Sequence, residues 1–316
     1  MKLSRLVAYA RHLDRFDTAQ ASAAMTQHLD PMIHTVGTHE LQFQDFADQL
    51  GRIRSDIDSR VGLFDQILEN LRQELRVNIE ALEPHYLRES YDLYSQGMVN
   101  DSNQHILERR PQLTPDAENY VRARIMRHSD WHYPGMILRP GLESWITDLV
   151  ALDPLYLVDI NLDIMQPALE RFTPEYQNRL RRYVIQESME HVMMADLPQA
   201  QMSMILAYNY FNFKPLELIR CFLAELYQCL KPGGTLMFTF NNCDRAGGVD
   251  LAERYFMCYT PGRLVLAAAE MLGFEVTHTY DIDAAATWVE LRRSGTLVNH
   301  RGGQALARIV ANSHRP

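Results

Sequence analysis

Side chains able to contact a small molecule follow several predicted strands of this chain, at the ends where open α/β sheets bind their ligands. They are Asp159, Glu187, Ser188, Met189, Asn209 and Tyr210. A carboxylate accepts hydrogen bonds from two neighbouring hydroxyls at once, while amide and phenol groups orient polar molecules. His132, just ahead of the first strand, titrates near neutral pH and suits a general base. These residue types predict a small-molecule site in which a proton is moved.

Each assignment has a plainer alternative. Glu187, Ser188 and Met189 are equally consistent with a solvated loop. Asn209 and Tyr210 stand among aromatic residues, so packing in the core competes with orienting a substrate. For His132 the alternative is an ordinary hydrogen-bonding role.

The elements that would position these residues alternate between strand and helix from about Trp131, which favours a doubly wound α/β sheet. Seven strands are predicted: 136–138, 155–160, 182–186, 202–208, 235–240, 274–281 and 286–292. Helices are predicted over 142–151, 165–172, 215–230 and 260–272. Only a short turn separates the last two strands, so they should pair antiparallel.

The first part of the chain predicts helix instead. Apolar residues recur every three or four positions from Leu3 to Phe16 and again from Phe46 to Leu82, where Glu83–Pro84 should end the second helix. So long a stripe predicts a coiled coil or helical hairpin, with either self-association as a homodimer or packing within one chain. We place a helical region at 1–112, ending in a polar linker from Gln96, and the α/β domain at 113–316. Thr114–Pro115 is a favourable start for the helix that opens this domain.

Composition narrows the classes of partner. The 316 residues carry 40 acids and 31 bases, a net charge of −9, which disfavours binding to nucleic acid or to a membrane surface. The four cysteines form no CxxC pair, which disfavours a zinc site or a disulfide framework. Arg5, Arg11 and Asp14 interrupt any signal-peptide core, and we expect no membrane span and a cytoplasmic location.

One junction resembles a known family. Leu230–Lys231–Pro232–Gly233–Gly234 lies between a predicted helix and the strand 235–240, and it is similar to the junction before the fifth strand of class I S-adenosylmethionine-dependent methyltransferases. The resemblance covers roughly residues 130–295. It implies that Asp159 accepts hydrogen bonds from the cofactor ribose, that Glu187, Ser188 and Met189 line the cofactor, and that Asn209 and Tyr210 face the methyl group.

The chain departs from this family at the loop after the first strand, where a GxGxG pattern is usual. Here only Gly141 stands at a glycine position, and Arg139 and Glu143 replace the outer glycines. Under the resemblance, Gly141 makes the close turn and Glu143 meets the cofactor's amino group, or else begins the next helix.

The resemblance implies methyl transfer from S-adenosylmethionine to a small-molecule acceptor by direct displacement, without a metal. The stretch after the fourth strand lacks the [DNS]PP[FYW] pattern of base and amide N-methyltransferases. The rival hypothesis is a catalytically degenerate fold that serves as a scaffold or interaction module. A nicotinamide-dependent oxidoreductase is disfavoured by the missing GxGxxG.

Overall fold

The computed structural model divides the chain into two compact units, Met1–Pro84 and His85–Pro316. It describes residues 3–14, 26–27, 30–31, 44–99, 114–141, 145–194 and 196–295. The predicted linker beyond Val99 lies outside these residues. The units divide earlier than the domain boundary predicted from the sequence.

Two helices dominate the first unit. Helix α1 spans Leu3–Asp14, and helix α2 spans Gln44–Ser95, so its last turns belong to the second unit. On α2, Leu50, Leu68 and Leu75 are buried, and they lie on one face because their spacings follow the helical repeat. The predicted helical N-terminal region is therefore confirmed.

The predicted end of α2 at Pro84 is wrong, because Pro84 lies inside the helix. Proline removes one helical hydrogen bond and clashes with the preceding turn. Packing compensates beyond it: Leu87 and Tyr94 pack against the core of the second unit, and Ser90 Oγ accepts from Tyr259 N at 2.7 Å. A rule based on the local sequence around Pro84 does not predict these contacts.

The second unit opens with helix α3, Pro115–His128, which is capped as predicted because Thr114 Oγ1 accepts from Ala117 N. Its strands are β1 Gly135–Leu138, β2 Leu155–Asp159, β3 Leu180–Val184, β4 Gln186–Glu187, β5 Val192–Met193, β6 Met202–Ala207, β7 Leu230–Asn241, β8 Phe274–Asp281 and β9 Ala286–Arg293. The hairpin of β4 and β5 is too short to leave a signal in the sequence.

Seven strands form one sheet in the order β3-β2-β1-β6-β7-β9-β8. Strands β3, β2, β1, β6 and β7 are parallel, and β9 pairs antiparallel with both β7 and β8. The antiparallel pairing of the last two strands is confirmed. So is the predicted architecture, a doubly wound seven-stranded sheet.

Helices cover both faces of this sheet. They are α4 Leu162–Leu169, α5 Pro174–Gln177, α6 Leu216–Cys229, α7 Ala246–Glu253 and α8 Gly262–Met271, with 3-10 turns at Ile146–Ala151 and Phe211–Phe213. Met136 and Leu138 belong to one buried cluster and Ile137 to another, as alternation along a strand requires. All six residues of β6 are buried, which is typical of a central parallel strand.

The Lys-Pro-Gly-Gly segment lies within β7, since that strand begins at Leu230 and not at Thr235 as predicted. Regular pairing with β6 resumes at Thr235, after an irregularity opposite Met202–Met204. Gly233 has a φ of +76°, and a Cβ on Gly234 would lie 2.7 Å from the carbonyl oxygen of Met202. Both glycines are therefore required by the backbone.

Candidate active site at the carboxyl edge of the sheet

The predicted site residues follow four parallel strands. Arg139 follows β1, Asp159 ends β2, Glu187 lies just beyond β3, and Asn209–Tyr210 follow β6. Since β1, β2, β3 and β6 run in the same direction, these residues share the carboxyl edge of the sheet. Strand β1 has β2 on one side and β6 on the other, so chain order reverses here, and such a switch point is where open α/β sheets bind ligands.

Asp159 forms a buried ion pair with Arg139. The Nε of Arg139 donates to Oδ2 at 3.1 Å, and the two side chains are 2% and 0% exposed. The backbone N–H groups of Ile160 and Asn161 donate to Oδ1 at 2.6 and 3.3 Å. Burial raises the pKa of Asp159, and the guanidinium and these N–H groups oppose that rise. Each oxygen of the predicted ribose acceptor thus already accepts at least one hydrogen bond from the chain itself.

Arg139 takes the backbone conformation of a glycine. Its φ is +51°, in the left-handed region that costs a residue with a side chain about 1 kcal/mol or more. A glycine would adopt this conformation without strain, and this chain places a guanidinium there instead.

Glu187 is the second carboxylate of the site, and its side chain is 12% exposed. Lys214 Nζ donates to its Oε1 at 2.6 Å, and the hydroxyls of Tyr94 and Tyr210 donate to Oε1 and Oε2 at 2.8 and 3.1 Å. Burial raises the pKa of Glu187, but Lys214 and the two hydroxyls outweigh burial and hold it below its usual value. Lys214 also lies 2.6 Å from the Tyr94 hydroxyl, and its side chain is 0% exposed.

Sequence reasoning missed Lys214 and Tyr94. Tyr94 comes from α2, 93 residues before Glu187, and no local pattern predicts that contact. Lys214 left one signal, a lone charge directly after the aromatic run Phe211–Asn212–Phe213. A lysine that ends a buried 3-10 turn needs an acid, and Glu187 provides it.

Tyr210 joins the two ion pairs. The guanidinium carbon of Arg139 and the Nζ of Lys214 lie 5.0 and 4.9 Å from the centre of its ring. We call Tyr94, Arg139, Asp159, Glu187, Tyr210 and Lys214 the carboxyl-edge cluster. Burial, together with Glu187, raises the pKa of Tyr210 well above its usual value. Tyr210 therefore stays protonated and acts as a hydrogen-bond donor.

Asn209 lies beside this cluster at the end of β6. Its φ is +51°, its side chain is largely buried, and its backbone N–H donates to Thr239 Oγ1 at 2.7 Å. Asparagine tolerates the left-handed region better than most residues. The backbone of Asn209 is therefore fixed at the carboxyl end of β6.

The structure does not bring His132 to this edge. Strand β1 runs from Gly135 to Leu138, so His132, which precedes it, lies at the amino edge, opposite Arg139. Its ring packs on Trp131, and its Nδ1 lies 2.9 Å from Asp130 Oδ1. The plainer alternative, a hydrogen-bonding histidine, describes these contacts.

Ser188 and Met189 lie in the turn between β4 and β5, next to Glu187. Ser188 is exposed, and its Oγ lies 3.0 Å from His191 Nδ1 in that turn. Gly141 is half-buried at the end of the segment after β1, and Glu143 lies outside the described residues. The cofactor contacts of Gly141, Ser188 and Met189 stay predictions.

No protein-family model matches the sequence, and no curated protein matches it in a sequence search. Similar solved structures include the N-methyltransferase NodS from Bradyrhizobium japonicum WM9, with 11% identity, coverage of 57% of this chain and 98% of that chain, and a TM-score of 0.42. Geranyl diphosphate C-methyltransferase from Streptomyces coelicolor A3(2) has 9% identity, coverage of 65% of this chain and 98% of that chain, and a TM-score of 0.47. A SAM dependent methyltransferase from Aquifex aeolicus has 14% identity, coverage of 63% of this chain and 97% of that chain, and a TM-score of 0.40.

Proposed function

We propose that this chain binds S-adenosylmethionine at the carboxyl edge of its sheet and transfers the methyl group to a small-molecule acceptor. One observation carries the proposal: Asp159 ends β2 beside the tight turn after β1, at the switch point of a methyltransferase-type sheet. A carboxylate there accepts from a ribose diol. The net charge of −9 favours a small acceptor over nucleic acid or an anionic membrane.

The residues of the site fit this cofactor in chemical type. Asp159 offers acceptors for two hydroxyls, and Gly141 permits close approach of the backbone after Arg139. In the structure, however, Arg139 donates to Asp159 Oδ2. Because Asp159 is 0% exposed, ribose binding requires Arg139 or other neighbouring groups to move, and the free energy of that rearrangement is subtracted from the affinity.

The bound cofactor would supply a methyl group already activated by its sulfonium charge. The chain's contribution is then positioning. Asn209 is fixed at the end of β6, where its amide would orient the acceptor. Tyr210 holds Glu187 by its hydroxyl at 3.1 Å, and Lys214 neutralises that carboxylate. Neither His132 nor Tyr210 is placed to remove a proton. The acceptor that suits this site best therefore carries a nucleophile that reacts without transferring a proton to either residue.

Isothermal titration with S-adenosylmethionine and S-adenosylhomocysteine tests the proposal. Wild type should show saturable binding, and Asp159→Asn should weaken it at least about tenfold because a charged acceptor becomes a neutral one. Asp153→Asn is the matched control: Asp153 precedes β2 at the opposite edge, where it pairs with Arg179. Unchanged affinity in Asp159→Asn, or no binding by folded wild type, would contradict the proposal.

The second candidate is a scaffold without methyl transfer. The observation in its favour is that the chain's own cations pair both carboxylates of the site, since Arg139 pairs with Asp159 and Lys214 pairs with Glu187. Such a charge-balanced cluster stabilises a fold without any ligand. The same titration separates the two functions, because a folded wild type that binds neither compound supports the scaffold.

A further inference from the structure

Helix α2 carries a second apolar stripe beside its buried face. Ile53, Leu63, Phe64, Ile67, Leu71 and Leu82 are between 38 and 59% exposed, within the unit Met1–Pro84. Phe64, Ile67 and Leu71 are spaced by three and four residues, so they form one continuous surface along the helix. A run of exposed apolar side chains of this kind marks an interaction surface.

Two charged residues interrupt this stripe symmetrically. Arg60 and Glu74 are exposed, and each lies seven residues, about two turns, from Ile67. They occupy the same helical position as Ile67, on the apolar stripe itself. Arg60 also pairs with Asp56 at 2.8 Å, but an exposed pair one turn apart contributes only about 0.3–0.5 kcal/mol.

We propose that the stripe is a homodimer interface in which two copies of α2 pack antiparallel, centred near Ile67. In that arrangement each Arg60 lies beside Glu74 of the other copy, and the twofold axis creates this contact twice. A parallel arrangement would instead place Arg60 against Arg60 and Glu74 against Glu74. Arg60 and Glu74, the two charged residues in the apolar stripe, thus specify the antiparallel direction in which the two copies of α2 pair.

The size of the stripe sets the expected strength. From Ile53 to Leu82 it extends about 44 Å, and a contact about 10 Å wide covers roughly 440 Å² on each copy. The total, about 900 Å², is below the roughly 1,200–2,000 Å² of stable specific interfaces and corresponds to a weak, transient one. The dimer should therefore form reversibly and depend on protein concentration.

Sedimentation velocity of the full chain over a hundredfold range of concentration tests this. Wild type should shift from monomer to dimer, and Ile67→Glu should weaken the dimer at least about tenfold, because two like charges then meet at the axis. A monomer at every concentration, or a dimer that Ile67→Glu leaves intact, would overturn the proposal.

Charge reversal tests the direction. Arg60→Glu and Glu74→Arg should each weaken the dimer about tenfold, and the double variant should restore it. Arg76→Glu and Asp58→Arg are matched controls: both residues are exposed and nine residues from Ile67, hence on the opposite face. Their dimerisation should equal that of wild type. Single variants that dimerise like wild type would overturn the antiparallel arrangement, and circular dichroism confirms that each variant is helical.

Discussion

Replacing Arg139 by Met removes one partner of the buried ion pair and keeps most of the side-chain volume. Asp159 is 0% exposed and would retain only the N–H groups of Ile160 and Asn161, both on Oδ1. Breaking a buried pair in this way costs about 3–5 kcal/mol. Because Oδ1 stays satisfied, we expect about 3 kcal/mol, a large part of the roughly 5–15 kcal/mol that stabilises a typical domain.

Urea unfolding followed by tryptophan fluorescence measures this loss, since Trp145 and Trp288 are buried in the second unit. The matched control is Arg179→Met, whose pair with Asp153 spans 3.4 Å with side chains 56% and 41% exposed. That variant should lose less than about 1 kcal/mol. A loss of that small size in Arg139→Met would refute the ion pair as the support of Asp159.

The loss of unfolding free energy in Arg139→Met should also depend on pH. Burial raises the pKa of Asp159 above 3.8, and without Arg139 the pKa rises further. A carboxylate whose folded pKa is raised lowers the free energy of unfolding most at pH values above that pKa, where it is charged. The difference between Arg139→Met and wild type should therefore shrink as the pH falls toward 3.8, and a difference that grows would contradict this reasoning.

Three further predictions concern stability. Burial raises the pKa of Glu290, but hydrogen bonds from His128, Arg124 and Trp288 outweigh burial and lower it to about 2. Glu290 should thus contribute about 3 kcal/mol to stability at neutral pH, and this contribution is lost as the pH falls from about 5 toward 2. In urea unfolding, the difference in unfolding free energy between wild type and Glu290→Gln should close over that range. A constant difference would contradict this prediction. Lys214→Met should cost about 3 kcal/mol in the same assay, because Glu187, only 12% exposed, then loses its cation. Tyr94→Phe should cost about 1 kcal/mol, because it removes one hydroxyl, and equal losses in the two variants would argue against the ion pair. Gly234→Ala should lower the melting temperature, since its Cβ would meet the Met202 carbonyl at 2.7 Å, whereas Gly62→Ala, with nothing within 4 Å, should not.

The sheet was predictable because its signals are local. Apolar runs such as Leu155–Asp159 end in a polar residue, and the short turn before Ala286 leaves room only for antiparallel pairing. The errors were also local in origin. Pro84 was expected to end α2, but contacts made by Ser90 and Tyr94 keep the following turns helical.

The site was predictable only in part. A strand that ends in an acid identified Asp159, and the missing glycine drew attention to Arg139. That these two residues pair could not be predicted, because the contact depends on the register of β1 beside β2. Lys214 and Tyr94 join Glu187 across 27 and 93 residues, and His132 lies near the site in sequence but at the wrong edge of the sheet.

Hydrogen–deuterium exchange with and without S-adenosylmethionine tests the central claim most directly, because it reports both binding and its place. We predict slower exchange in four segments that are distant in sequence and meet only at the carboxyl edge, residues 138–141, 159–163, 185–190 and 207–212. Residues 130–134 at the amino edge should not change. Unchanged exchange in all four segments, or protection confined to the amino edge, would contradict the account.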